Sequence, residues 1–144
     1  MRRSPAAVVY KTLRPVRLTL STSILPLFIT HILTSSIGEK LHLVPYNPFP
    51  KDSPSPYAGA GPIFIHAHAC KPFEGTTLPD TQLGRSMSLR AYDENYMMAA
   101  AKVVKGEELD EVLGGMLADE KAKCVLVHNA GPGCFAVRAE RAER

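Results

Sequence analysis

Two short apolar runs near the C-terminus, Lys123–His128 (KCVLVH) and Cys134–Ala139 (CFAVRA), flank Asn129-Ala-Gly-Pro-Gly133. No other feature narrows the possible folds of this chain as far. Both runs have strand length and β-branched content, and the connector consists of turn formers, so the pattern predicts an antiparallel hairpin with a five-residue loop. Such a loop puts His128 opposite Cys134, Leu126 opposite Ala136 and Cys124 opposite Arg138, and opposed residues share a face. One face then carries Val125, Val127, Phe135 and Val137 and reads as core. The other carries Cys124, His128, Cys134 and Arg138.

The hairpin needs partners, and the remaining sequence supplies them. Lys40–Tyr46 shows Leu41 and Leu43 at period two before Pro45, which predicts a short strand with the proline on a sheet edge or at the strand end. Residues 47–62 carry Pro48, Pro50, Pro54, Pro56 and Pro62 and read as a loop held in part by Phe49 and Tyr57. Ile63–Cys70 (IFIHAHAC) follows a Gly-Pro stop and reads as a strand, and residues 71–85 as another loop. Ser86–Asp93 and Met97–Val104 read as strands joined at Glu94-Asn95-Tyr96, although the alanine run of the second also admits a helix. Glu107–Ala118 is the clearest helix. Leu109, Val112, Leu113, Met116 and Leu117 form one stripe, and Glu107, Glu108 and Asp110 suit its N-terminal end. The expected fold is α+β: a small, mainly antiparallel sheet with one amphipathic helix packed on one face.

At 144 residues, 45% apolar and 22% charged, the chain has the length and composition of one globular domain. Its net charge of +3 is unevenly placed. Residues 1–38 hold Arg2, Arg3, Lys11, Arg14 and Arg17 and no acid, whereas residues 39–144 hold twelve Lys/Arg against fourteen Asp/Glu. The segment expected to fold therefore lacks the cationic surface that displaces counterions from phosphates, and nucleic acid is not an expected partner. Residues 1–37 form an atypical basic and uncharged N-terminal segment, and 38–142 a single domain. From Leu18 to Gly38 the run is long enough to span a bilayer, but its Ser and Thr content, Pro26 and His31 oppose insertion. A membrane partner is expected only if this run is a real anchor. Its acid-free, Arg- and Ser-rich character also fits a mitochondrial transit peptide, and equally an insertion or sequence foreign to the fold. Three Cys fit a reducing compartment, which makes cytoplasmic location the main expectation and mitochondrial the alternative.

The polar residues that this layout gathers define one candidate site. Phe64, His66, His68 and Cys70 share a strand face, with Ile63, Ile65, Ala67 and Ala69 on the other. If that face meets the polar face of the hairpin, His66, His68, Cys70, His128 and Cys134 converge. The expected ligand-binding residues are His66, His68, Arg90, His128, Asn129 and Arg138. His66, His68, Cys70 and His128 are also candidate metal ligands, and their imidazoles and thiolate suit Zn²⁺, the one cofactor the pattern admits. Cys134 beside His128 is the candidate catalytic pair, since a neighbouring imidazole lowers a thiol pKa. Against each stands a plainer reading, in which these are half-buried strand residues hydrogen-bonded to backbone or water. Binding of a small molecule or a partner at a His/Cys/Arg-lined pocket is the first expectation. A metal-assisted or Cys-dependent enzyme and an accessory module are the alternatives.

The order Ser55–Tyr57 (SPY), Gly61–Cys70 (GPIFIHAHAC), Leu89–Met98 (LRAYDENYMM), an acidic amphipathic helix, then His128–Arg138 (HNAGPGCFAVR) resembles the family called domain of unknown function 1203, over about residues 38–142. The resemblance implies no activity, cofactor or partner. It aligns Gly38-Glu39 with a Gly-Glu that follows a Cys-Arg strand in the family. Val16-Arg17-Leu18-Thr19-Leu20 stands where that strand is implied, and the family's Cys has no counterpart here.

Overall fold

The computed structural model of the chain describes residues 8–11, 38–68, 74–75 and 84–141. Among the described residues, eight strands and one α-helix follow in the order β1 (Val8–Lys11), β2 (Leu41–Tyr46), β3 (Gly61–His66), β4 (Glu74–Gly75), β5 (Ser86–Tyr92), β6 (Met98–Lys105), α1 (Leu109–Ala118), β7 (Cys124–Asn129) and β8 (Phe135–Arg141). Six of the strands form one sheet in the order β4-β1-β8-β7-β5-β6, and β2 pairs with β3 in a second. Every pairing is antiparallel. The fold is α+β, as the sequence pattern predicts.

β6 and β7 both lie beside β5 and so run parallel to each other. Two strands with one between them cannot be joined by a tight turn, and α1 supplies the crossover over one sheet face. A 3-10 turn at Gly106–Glu108 leads into it. Glu108 Oε2 accepts from the Lys105 backbone N–H at 3.3 Å, and Asp110 and Glu111 fall in the first turn, where the helix dipole favours anions. The last turn has no basic residue of its own. Arg141 on β8 provides the cation, donating from Nη1 to the carbonyls of Leu117 at 2.9 Å and Asp119 at 3.1 Å.

Beneath the helix, Leu109, Leu113, Met116 and Leu117 pack against Met87, Leu89, Ala91, Val125, Val127, Val137 and Ala139. The opposite face is covered by the β2–β3 hairpin and the Pro-rich loop. There Tyr46, Phe49, Ile63 and Ile65 meet Tyr92, Cys124, Leu126 and Phe135. Pro45 and Pro62 face each other across the hairpin. A two-stranded sheet has only edges, so their missing N–H groups disturb no central ladder.

The β7–β8 register departs from the expected one in two ways. The loop is shorter: the Asn129 N–H donates to the Cys134 carbonyl at 2.9 Å, and the Gly133 N–H to the Asn129 carbonyl at 2.8 Å. Gly133 sits at φ +76°, a conformation open to glycine, and this lets the chain close early. Beyond the loop the ladder slips at Val127/His128, where His128 pairs Phe135 but Val127 pairs Val137. Ala136 is thus an extra residue, a bulge that turns Phe135 away from the helix face where alternation places it. Leu126 lies opposite Arg138, not Ala136. Strand β3 ends at His66 rather than continuing to Cys70. Cys70 and Val16–Leu20 lie outside the described residues. Among the described residues no helix is long and apolar enough to cross a membrane.

Candidate functional site

Polar residues concentrate on the hairpin-covered face. Tyr92 lies edge-on to Phe49 at 5.1 Å and to Tyr57 at 5.8 Å. The β5–β6 turn is held by Asp93, whose Oδ1 accepts from the backbone N–H groups of Asn95 and Met97, each at 2.9 Å. That turn places Tyr96 at φ +57°. Ser55 donates to the Tyr96 carbonyl at 2.6 Å and ties the Pro-rich loop to the sheet. Arg138 is buried beside this cluster. Its Nε donates to Glu140 Oε1 at 2.6 Å, and its guanidinium lies 5.9 Å from the Tyr96 ring centre. Burial works against the charge of Arg138, but Cys124, Tyr96 and Glu140 together hold its pKa above the ordinary value. Burial pushes the Cys124 thiol up, with Arg138 opposing, so this cysteine stays a protonated core residue.

His128 occupies the same face, directly opposite Ser88 on β5. Its ring is 8% exposed and meets Phe135 edge-on at 5.8 Å. Nδ1 lies 3.0 Å from the Gly133 carbonyl. A carbonyl only accepts, so Nδ1 carries the proton and Nε2 is left as a lone-pair acceptor. Nε2 is buried and has no hydrogen-bond partner among the described residues. Burial, followed by the charge of Arg90, pushes the His128 pKa down to about 4, with the Gly133 carbonyl pulling the other way. The imidazole is neutral at neutral pH. Arg90 lies on the same face as Ser88 and donates from Nε to its Oγ at 3.4 Å.

A second group lies at the far end of β3, where Leu41 pairs with His66. One step past the strand ends, the Ala67 N–H donates to the Lys40 carbonyl at 3.1 Å, and a second step in the same register sets Glu39 against His68. Glu39 Oε1 is hydrogen-bonded to His66 Nδ1 and lies 3.6 Å from His68 Nδ1. The two imidazole centres are 5.2 Å apart. Gly38, at φ +90°, makes the turn that delivers Glu39.

The expected site residues therefore divide. His66 and His68 come together, with Glu39 as the third member. His128 and Arg90 come together elsewhere, and His128 does not belong to the close group of ligand atoms around Glu39. Cys134 is not paired with His128. The shortened loop sets it across from Asn129, whose Nδ2 donates to Cys134 Sγ at 3.2 Å. Asn129 and Arg138 are both engaged within the fold. Sequence reading missed Glu39 as a site residue. Pairing Lys40–Tyr46 with Ile63–Cys70 as a hairpin would have exposed it, because a carboxylate two residues before Leu41 must then fall beside the histidines.

A family model described as Protein of unknown function (DUF1203) matches residues 31–141. It covers well over half of the chain, and the chain belongs to that family. No curated protein matches, and no solved structure matches.

Proposed function

We propose that this domain binds a small polar molecule on the hairpin-covered face, between His128 and Arg90. The observation that carries the reading is the Nε2 atom of His128, a buried lone pair without a hydrogen-bond partner among the described residues. An orphaned buried acceptor costs about 1–3 kcal/mol, and folds retain such groups where a ligand or water completes them. The neighbouring Arg90 supplies a fixed positive charge, felt by His128 itself. An acceptor beside a cation complements a molecule that offers a hydroxyl or N–H donor next to an anionic group. A 2-hydroxycarboxylate has this arrangement. Of the expected ligand-binding residues, His128 and Arg90 serve this reading, with Ser88 beside them.

We take residues 38–142 as the unit that carries the activity, on the compositional break at Gly38, and the cytoplasm as its compartment, on the cysteine content. The test is long-range ¹H–¹⁵N NMR of the histidine rings during titration with glycolate, lactate and tartrate. A saturable shift of the His128 Nε2 resonance, lost in Arg90→Ala, is expected. An Nε2 resonance that none of the three acids moves would sink the reading.

A further inference from the structure

We propose that Glu39, His66 and His68 form a binding site for one divalent transition ion of the Zn²⁺ type, separate from the His128 face and independent of the reading given for it. The chemistry of the donor set carries the proposal. Two imidazoles and one carboxylate each offer one ligand atom, and the three atoms lie within 4.8 Å of one another. At Zn–N and Zn–O lengths of roughly 2.0–2.2 Å, tetrahedral ligands stand roughly 3.3–3.5 Å apart. The Glu39–His68 separation of 3.6 Å is close to that spacing, whereas Glu39 and His66, in hydrogen-bond contact, stand closer than two ligands of one ion and must part as the ion enters. Both rings turn Nδ1 toward the same carboxylate oxygen. An ion seated there replaces the proton shared by His66 and Glu39 and lets two imidazoles face one centre without repulsion.

The backbone already holds these groups near the required geometry. Glu39 is fixed by the Gly38 turn and by its ladder position, and His66 ends a strand and is buried. His68 is different: its side chain is 62% exposed, so it can swing the remaining short distance. Three protein ligands with a solvent-facing side leave a fourth position for water, the arrangement of catalytic rather than structural zinc sites. Magnesium and calcium are poor fits, because they prefer oxygen ligands throughout.

The test uses the full chain, stripped with a chelator and returned to metal-free buffer. Zinc is titrated calorimetrically, and bound metal is counted by elemental analysis after desalting. One ion per chain is expected at micromolar zinc, and Co²⁺ in its place should give the intense visible absorption of a tetrahedral site. His68→Ala should weaken zinc binding at least about tenfold with unchanged circular dichroism, since this side chain is exposed. Glu39→Gln should weaken it as well. His42→Ala, which removes an exposed histidine on β2, should leave the affinity unchanged. The proposal is overturned if the chain takes up no zinc under these conditions, or if folded His68→Ala and Glu39→Gln bind it as tightly as the parent.

Discussion

The two faces of the six-stranded sheet are built from the same strands and do different work. Under α1 the face is dry and uniformly apolar: Met87, Leu89, Val125, Val127, Val137 and Ala139 meet the leucines of the helix. Under the β2–β3 hairpin, the face interleaves the aromatics with Cys124, His128, Arg90 and Arg138. Apolar burial is non-directional and scales with area, so the helix face needs volume and little else. A buried polar group needs a partner at a fixed angle and distance. The hairpin face can satisfy that only through turns, bulges and loop contacts at particular residues. Stability should therefore be concentrated on the first face and sensitivity to pH and ligands on the second.

Cutting the helix face should have the largest effect. Leu113 is fully buried in the middle of the α1 stripe. Leu113→Ala removes its contacts and leaves a cavity, at a cost of about 2–5 kcal/mol. Urea unfolding followed by circular dichroism should show a lower midpoint with an unchanged slope. In the folded fraction the His128 ring resonances should stay where they are. A movement of those resonances would mean that the two faces are coupled, and the division between them would fail.

The hairpin face should be revealed by acid. The folded-state pKa of His128, about 4, lies below its ordinary value of 6.5. Between these two values the unfolded chain holds a proton that the folded chain excludes, so stability rises with pH across that window. The contribution is complete above about pH 6.5 and falls away as the pH drops toward 4. At 1.36 kcal/mol per pKa unit, the full swing is roughly 3 kcal/mol. Because carboxylates titrate nearby, the comparison must be with His128→Gln. The parent should lose more stability than this variant between pH 7 and 4.5. Parallel curves would show that His128 is wet and titrates normally, and the hairpin face would then resemble an ordinary surface.

The same contrast explains what could be read in the sequence. α1, β5, β7 and β8 were legible because periodicity is a local signal, which the helix face obeys except at the Ala136 bulge, while the alanine run of β6 left strand and helix both open. The His128 environment was legible only in part. Gly133 at φ +76° shortens the loop, and Ala136 as a bulge moves Phe135 to the other face. Neither event changes the alternation of residue types. Glu39 was hidden for a different reason. It reaches His66 and His68 through a hairpin whose strands are separated by a long Pro-rich loop, and non-local pairing leaves no mark on either strand alone. What defines the helix face is repeated along the chain, whereas what defines the polar groups occurs once, at single residues.

The smallest expected effect lies at the rim of the hairpin face. Lys123 Nζ is 2.8 Å from Glu94 Oε2 and 5.3 Å from the centre of the Tyr96 ring, and the hydrogen bond it donates to Glu94 is the main reason its pKa is raised. Glu94 is 76% exposed, so water competes for both charges and salt screens them. The Lys123 backbone N–H bond to the Tyr92 carbonyl, 2.8 Å, survives side-chain truncation. Lys123→Ala should then cost less than about 1 kcal/mol, and the difference from the parent should shrink as sodium chloride is raised. A salt-independent loss as large as that of Leu113→Ala would mean that the ammonium is shielded from solvent by its ring and carboxylate. The polar region would then reach to the edge of the sheet, and Tyr96 would belong to its interior rather than to its border.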